Sequence, residues 1–385
     1  MTREEFDIVR SDEVRQAIAE NLEANPLNIA LNRHIPHARE VATQVKYLQR
    51  ARTKLPTLYA AQAILPPRAF EQSSSEKCAA AKHLKGDTLL ELTCGLGIDA
   101  IALSREFRRV VTLERDALLA DVVRENLRRL GIGNVEVVTS SAEEFLTQCG
   151  EQFDWVYADP DRRTDLGRRV FRLEDCSPNI IELMPHIRRI SQRLAVKLSP
   201  LFDAEEAFRI FGDCSVEVVS LAGECKELMV YADGNTPHIS AHAIDKGKFT
   251  LSREEWLSQP SMPESFDAEG YRYLIIPDVA LQKGRLVRHA LQGKADVWSD
   301  NSFGFARELP QDILGRVLPI ASIEPFNLKH LKSELKSKGV DIILGGGFRM
   351  GVDEVRRRCS MRSGAEYRIA LCLIEGREYT VRLGE

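Results

Sequence analysis

The sequence predicts an α/β protein built on a mainly parallel sheet, with a helical region before the sheet and a smaller α/β module after it. Three observations predict this. Between about residues 87 and 235, short apolar runs of strand length alternate with segments of helical periodicity. Ahead of them, to about residue 85, apolar residues recur at helical spacing. Beyond about residue 270, strand and helix patterns return in shorter pieces.

The helical region opens with EEFDIVRSDEVRQAIAENL, where Ile8, Val9, Val14, Ala17, Ile18 and Leu22 fall close to one helical stripe. Ala42, Val45, Leu48 and Ala51 continue in that style, and Pro56, Pro66 and Pro67 interrupt it. Ser75 is placed to cap a short helix from Glu76. In the central region the predicted strands are Thr88–Thr93, Val110–Glu114, Val135–Thr139, Trp155–Ala158, Leu194–Leu198, Val216–Leu221 and Leu228–Ala232. Helices are predicted between them around 98–105, 117–130, 142–149, 179–190 and 205–211. The last two strands lack a helix between them, which predicts an antiparallel hairpin at the sheet edge. Residues 236–270 read as polar and loop-rich. A strand at 271–276 and a helix near 279–282 then begin the smaller unit. The chain ends in helix 327–338, strand 341–344, Gly345-Gly346-Gly347, a helix, and a hairpin turning at Glu375-Gly376. The predicted divisions are 1–85, 86–235, 236–320 and 321–385.

Composition narrows the function classes. No apolar run approaches the roughly 20 residues that span a bilayer, and MTREEFDIVR lacks the apolar core of a signal peptide. A cytoplasmic location and no membrane partner are therefore expected. The eight cysteines are scattered without a CxxC pair, so neither a disulfide framework nor a zinc site is expected. The pairs His34/His37 and His238/His242 lack an accompanying acid motif, and no metal is predicted. Net charge is −4, yet residues 326–385 hold twelve Lys/Arg against eight Asp/Glu. A basic C-terminal segment is compatible with nucleic acid and equally with a solvated face.

The chemistry concentrates in two motifs. In LLELTCGLGIDAIALS an apolar strand runs into Gly95 and Gly97, and a helix follows. Glycines let backbone approach a ligand, and the helix start offers free N–H groups. Glu114 ends the next strand, where a carboxylate can accept hydrogen bonds from both ribose hydroxyls of an adenosine. Gly95-x-Gly97-x-x-Ala100 also satisfies the dinucleotide fingerprint. S-adenosylmethionine is favoured over a dinucleotide because Glu91, inside the first strand, suits a cationic amino group and repels a pyrophosphate. Asp99 opens the helix where a pyrophosphate would otherwise sit. Ser141 and Ala142, after the third strand, fall where an adenine ring is held by a backbone N–H.

The second motif, FDWVYADPDRR, delivers Asp159-Pro160 at the carboxyl end of the fourth strand, the edge at which open α/β sheets bind ligands. Proline holds Asp159 extended, and its carboxylate is placed to accept from an acceptor amine or position its proton. Arg162 and Arg163 are candidates for gripping phosphate or carboxylate. Lys197, in LAVKLSP, ends another strand on the same edge and is a candidate for lining the acceptor pocket. The EQSSSE segment, Glu71 to Glu76, directly precedes the first strand and is placed to cover the pocket.

Together these residues resemble the class I S-adenosylmethionine-dependent methyltransferases. ELTCGLGIDAIALS is similar to that family's first motif, TLERD to its ribose-binding acid with Arg115 beside it, and VYADPDRR to its fourth motif. The resemblance implies a Rossmann-like seven-stranded methyltransferase sheet. It implies cofactor contacts at Glu91, Cys94, Gly95, Gly97, Asp99, Glu114, Arg115, Ser141, Ala142 and Asp159. It places Asp159, Pro160, Arg162, Arg163 and Lys197 on the catalytic, acceptor side. KLPTLYAAQAILPPRAFEQSSSEKCAA, DPDRR, KLSPLFD, PFNLKHLKSELKSKG and GGGFRMG look like the bacterial subgroup with a ferredoxin-like segment and a THUMP-like C-terminal domain. That subgroup implies RNA as the acceptor and partner. A protein or small-molecule acceptor, and a non-catalytic RNA-binding protein with a degenerate Rossmann-like domain, are the competing readings. The aromatic residue that many amino-directed nucleic-acid methyltransferases carry after Asp-Pro is replaced here by Asp161, Arg162 and Arg163. Cys176 is the nearest cysteine to this motif and is not assigned as a nucleophile.

Overall fold

Five parallel strands carry the first part of the chain: β1 (Gly86–Glu91), β2 (Phe107–Glu114), β3 (Val135–Thr139), β4 (Trp155–Ala158) and β5 (Leu194–Leu198). β1 is flanked by β2 and β4, β3 lies outside β2, and β5 lies outside β4. Covered on both faces, the inner strands bury consecutive rather than alternate residues: Leu89 and Leu90, Val110 and Val111, all of Trp155–Ala158, and Leu194 to Val196. The computed structural model describes residues 1–161, 172–299 and 302–384. The chain divides into two units, Met1–Leu198 with Met229–Asn235, and Ser199–Leu228 with the remainder from Thr236.

Strand boundaries differ from the sequence reading by a few residues, for a visible reason. β2 starts at Phe107 rather than Val110 because its charged residues are paired across strands. Arg108 makes a bidentate ion pair with Asp87 at 2.6 and 2.7 Å, and Arg109 pairs with Glu136 and Glu151. β1 likewise starts early, where the Asp154 carboxylate accepts the amides of Asp87 and Thr88.

The helices of residues 3–80 do not form a core of their own. Val41, Ala42, Val45, Leu48 and Ala51, one face of the helix Ala38–Lys54, join the same buried cluster as Ala120, Val122, Val123 and Leu127 of the helix Ala117–Leu130. A polar latch fixes this packing. Asn126 donates to the Ile64 carbonyl at 2.9 Å and accepts from the Ile64 amide at 2.8 Å, both within a buried setting. Gln44 serves the neighbouring Leu65 amide in the same way, at 2.9 Å.

The second unit contains β6 (Ser215–Leu221) and the start of β7 (Glu224–Ala232), joined by Ala222-Gly223, both at positive φ as a two-residue hairpin turn requires. The segment read as loop-rich holds two strands, β8 (His238–Ala243) and β9 (Gly247–Ser252), and the helix Arg253–Leu257. Polar composition hid them, because β8 carries side chains satisfied by its parallel neighbour β6: His238 Nδ1 lies 2.8 Å from the Ser215 hydroxyl, and His242 Nδ1 lies 2.9 Å from Glu217 Oε1.

The rest of this unit is an eight-stranded sheet of β10 (Tyr273–Pro277), β11 (Asp296–Val297), β12 (Gly304–Ala306), β13 (Gly315–Pro325), β14 (Gly339–Leu344), β15 (Arg362–Ser363), β16 (Tyr367–Ile374) and β17 (Arg377–Leu383). Its order is β11-β12-β10-β13-β17-β16-β14-β15. β16 is buried on both faces, and its two-residue period divides the cores. Ala370, Cys372 and Ile374 meet Tyr271, Trp298, Phe303 and Phe305, while Ile369 and Leu371 meet Leu331, Leu335, Val355 and Cys359. No helix among the described residues is long and apolar enough to cross a membrane.

The latch yields a prediction. Asn126→Ala leaves the Ile64 amide and carbonyl unpaired inside the core, which should cost about 2 kcal/mol of unfolding free energy. Urea denaturation measures it; a loss below about 0.5 kcal/mol would contradict the latch.

Candidate functional site

Because β1, β2, β4 and β5 run parallel, their carboxyl ends meet at one edge, and each delivers an ionisable residue there: Glu91, Glu114, Asp159 just after β4, and Lys197. The turn between β1 and the helix Ile98–Leu103 is threaded into this edge by backbone hydrogen bonds. The Leu92 amide donates to Tyr157 O and the Cys94 amide to Leu113 O, each at 2.8 Å. The two glycines have different duties. At Gly97 (φ +78°) an added Cβ would sit 2.9 Å from Val123 Cγ1, so this glycine serves packing against the next helix. At Gly95 (φ +55°) an added Cβ would meet nothing within 4 Å, so this glycine presents bare backbone to open space.

The electrostatics centre on two acids. Glu91 is 1% exposed. The Thr112 hydroxyl donates to its Oε2, while its Oε1 is buried with no hydrogen-bond partner. Burial first, and then the neighbouring Asp99 charge, push the Glu91 carboxyl well above the ordinary glutamate range. Burial acts on Asp99 in the same sense, but there it is outweighed. Lys82 donates to Asp99 Oδ1 at 2.8 Å, the Tyr157 hydroxyl donates to Oδ2 at 2.8 Å, and Lys197 adds its charge, so Asp99 is held below its usual range. Two neighbouring acids are thus driven apart, one toward the neutral form and one ionised. Removing Lys82 would strand the Asp99 charge in a dry setting, a costly loss for any buried ion pair.

Glu114 sits half-buried at the end of β2. It accepts the Gly95 amide on Oε2 and the Asp116 amide on Oε1, both at 2.9 Å. Burial pushes its carboxyl up despite these bonds. Each oxygen keeps a further lone pair for a hydroxyl donor. Beside it, the Arg115 guanidinium donates to the Ser177 hydroxyl at 3.3 Å. Ser141 caps the helix Ala142–Gln148 through a capping box with Glu144, which occupies its hydroxyl, and Ala142 is buried. Cys94 is buried, and burial pushes its thiol well up, away from thiolate chemistry.

On the other side of the edge, the Asp159 amide donates to the Thr93 hydroxyl at 2.7 Å, and its Oδ2 receives Lys197 Nζ at 2.5 Å. Lys197 therefore engages Asp159 directly. Pro160 is buried, and Asp161 forms a backbone bridge with Ser177. Arg162 and Arg163 lie outside the described residues. The structure brings Glu91, Gly95, Asp99, Glu114, Asp159 and Lys197 to one sheet edge.

Sequence reasoning missed Lys82, Thr112, Thr93 and Tyr157, and within the segment Glu71–Glu76 that it placed over the pocket it did not single out Ser74, which accepts from Lys197 at 2.9 Å. Lys82 follows a short helix, Thr93 sits in the turn after β1, Thr112 and Tyr157 lie within strands and Ser74 in a serine run, and only the fold makes each a partner. Tyr157 carried the one usable signal, a polar hydroxyl inside a strand otherwise read as fully buried.

Residues 75–173 match the family model described as conserved hypothetical protein 95. An uncharacterized S-adenosylmethionine-dependent methyltransferase of Mycobacterium tuberculosis is 24% identical over 324 residues, covering 83% of this chain and 87% of that protein. A tRNA/tmRNA (uracil-C(5))-methyltransferase of Neisseria meningitidis is 43% identical over 68 residues, 18% of each chain. The crystal structure of an inferred methyltransferase from Porphyromonas gingivalis W83 superposes with a TM-score of 0.81 at 25% identity, covering 97% of both chains. The chain has the class I methyltransferase fold.

The raised carboxyl at Glu91 has a measurable consequence. In the native state it holds its proton more tightly than in the unfolded chain. Its contribution to stability is then complete below about pH 4, the ordinary glutamate range, and is lost as pH rises through the raised native value. The amide of Glu91→Gln resembles the protonated acid and does not titrate. Urea melts between pH 4 and pH 8 should show the variant gaining on the wild type as pH rises. A difference that stays constant with pH would contradict the assignment.

Proposed function

We propose that this S-adenosylmethionine-dependent methyltransferase acts on RNA. The observation that carries the cofactor reading is the carboxylate row at the sheet edge, above all the unpaired, buried Glu91 Oε1. An orphaned acid oxygen in a dry pocket asks for a donor, and a cationic ammonium supplies one. The open space above Gly95 and the spare lone pairs of Glu114 fit a nucleoside sugar. A pyrophosphate would face the carboxyl groups of Glu91 and Glu114.

When bound, the cofactor supplies an electrophilic methyl group on a sulfonium. In our reading Glu91 takes its amino group, with Asp99 holding the surrounding charge. The backbone from Cys94 through Gly95 to Gly97 lines its approach. Glu114 accepts the ribose hydroxyls, with Arg115 beside it, and the Ser141-Ala142 turn edges the adenine. On the acceptor side Asp159, fixed by Pro160 and by the Thr93 hydroxyl, orients the incoming group or takes up its proton. Lys197 sets the carboxylate, and Arg162 and Arg163 are assigned to phosphates. The main contribution of such a site is alignment of two reactants within contact distance.

RNA is favoured as acceptor by two observations. The tRNA/tmRNA relative is 43% identical to this chain over 68 residues. Residues 321–385, which we read as the THUMP-like module behind a ferredoxin-like segment, contain the basic stretch from 326 onward. Phosphate neutralisation by such a stretch would make binding fall with salt.

The test is transfer of labelled methyl groups from S-adenosylmethionine to total RNA or, separately, to protein extract, both from cells lacking the gene. Label in RNA is expected, reduced at least tenfold by Asp159→Ala. Label in protein alone would overturn the RNA reading. RNA binding without any cofactor binding would overturn the enzymatic one.

A further inference from the structure

The run Ser73-Ser74-Ser75 precedes the sheet, and its three hydroxyls do three different things. Ser73 donates to the Phe70 carbonyl at 2.9 Å and closes the helix Pro67–Gln72. Ser75 accepts from the Cys78 amide at 3.3 Å and caps the helix Glu76–Ala80. Ser74 serves neither helix: it accepts from Lys197 Nζ, 123 residues away, at 2.9 Å. The same ammonium donates to Asp159 Oδ2.

Both ends of this turn are tied to the N-terminal helices. Glu71 is ion-paired with Arg50, and Lys54 donates to the Phe70 carbonyl at 2.7 Å. The Glu76 carboxylate accepts the Thr57 amide at 2.8 Å and the Thr57 hydroxyl at 2.7 Å. A turn pinned at both ends presents its central hydroxyl at a fixed place. A lysine stem is flexible and its ammonium has three donors. One hydrogen bond to a fixed hydroxyl removes much of that freedom before a second is made to the carboxylate.

We propose that Ser74 and Lys197 form a positioning relay that sets the Asp159 carboxylate, so that the serine turn belongs to the acceptor side of the site. This rests on the reading of Asp159 as the acceptor-side group. Ser74 and Lys197 are positioning residues that act through Asp159. Conservative loss at either should misplace one carboxylate oxygen while leaving the pocket around Glu91 and Glu114 in place.

The test uses the full chain and three variants, Ser74→Ala, Lys197→Met and Lys197→Arg. Labelled S-adenosylmethionine and total RNA from cells lacking the gene give kcat and KM, calorimetry gives cofactor Kd, and hydrogen exchange reports on the amides of residues 72–76. Ser74→Ala and Lys197→Met should lower kcat about tenfold to a hundredfold, with cofactor Kd changed less than about threefold in Ser74→Ala, which keeps the Lys197 charge that acts on Asp99. Lys197→Arg should recover part of kcat. Exchange across 72–76 should quicken in Lys197→Met. Wild-type kcat in Ser74→Ala, or an equal loss of cofactor affinity, would overturn the relay. If the wild type labels no RNA, the acceptor reading fails by itself, and unchanged exchange in Lys197→Met then overturns the relay independently. Should Lys197→Met not fold, Ser74→Ala and Lys197→Arg carry the same decision.

Discussion

Acids brought together in a dry space cannot all remain charged without a cation among them, and this constraint organises the sheet edge. Lys82 is the cation the fold bonds directly to Asp99, and Lys197 adds its charge. Together they keep Asp99 ionised, Tyr157 completes that carboxylate, and the balance leaves Glu91 as the acid displaced toward its neutral form. The charge state of the pocket floor follows from where these charges are satisfied. An arrangement with Glu91 and Asp99 both ionised and a single lysine between them would carry an uncompensated negative charge, at a cost several times that of an ordinary surface pair.

The helical N-terminal segment takes part in this arrangement rather than standing beside it. It supplies Lys82 from the stretch just after the helix Glu76–Ala80, and Ser74 from the turn before that helix. Its apolar face shares one core with the helix after β2. Cofactor-side and acceptor-side groups are thereby braced from the same region. The two sides differ in character: Glu91 and Asp99 are buried and their protonation is set by the interior, whereas Asp159 is partly open and its carboxylate is held in place by direct contacts.

Much of the fold was legible because strand and helix periodicities are strong where the sheet is covered on both faces. The runs at Leu89-Leu90, Val110-Val111 and Trp155–Ala158 are too apolar for any surface role. The glycine turn and the acids at strand ends were legible for the same reason, since position at the end of a parallel strand already fixes which edge a residue joins. What escaped was partnership. Nothing in the short stretch after the helix Glu76–Ala80 marks Lys82 as buried, and nothing in a serine run says that the middle hydroxyl crosses to a strand. β8 and β9 escaped because their histidines and serine are satisfied by β6, so polar composition masked a sheet. Long-range hydrogen bonds of this kind leave no periodic trace in a sequence.

The central claim is that Glu91 awaits a positive charge, and proton counting reaches it most directly. Titrating the full chain with S-adenosylmethionine near pH 6.5, in two buffers of different ionisation enthalpy, reads protons released per cofactor bound. A cation beside Glu91 must lower its raised carboxyl, so proton release is expected in the wild type and should be abolished in Glu91→Gln. Heats that are identical in both buffers, or release that persists in the variant, would contradict the account.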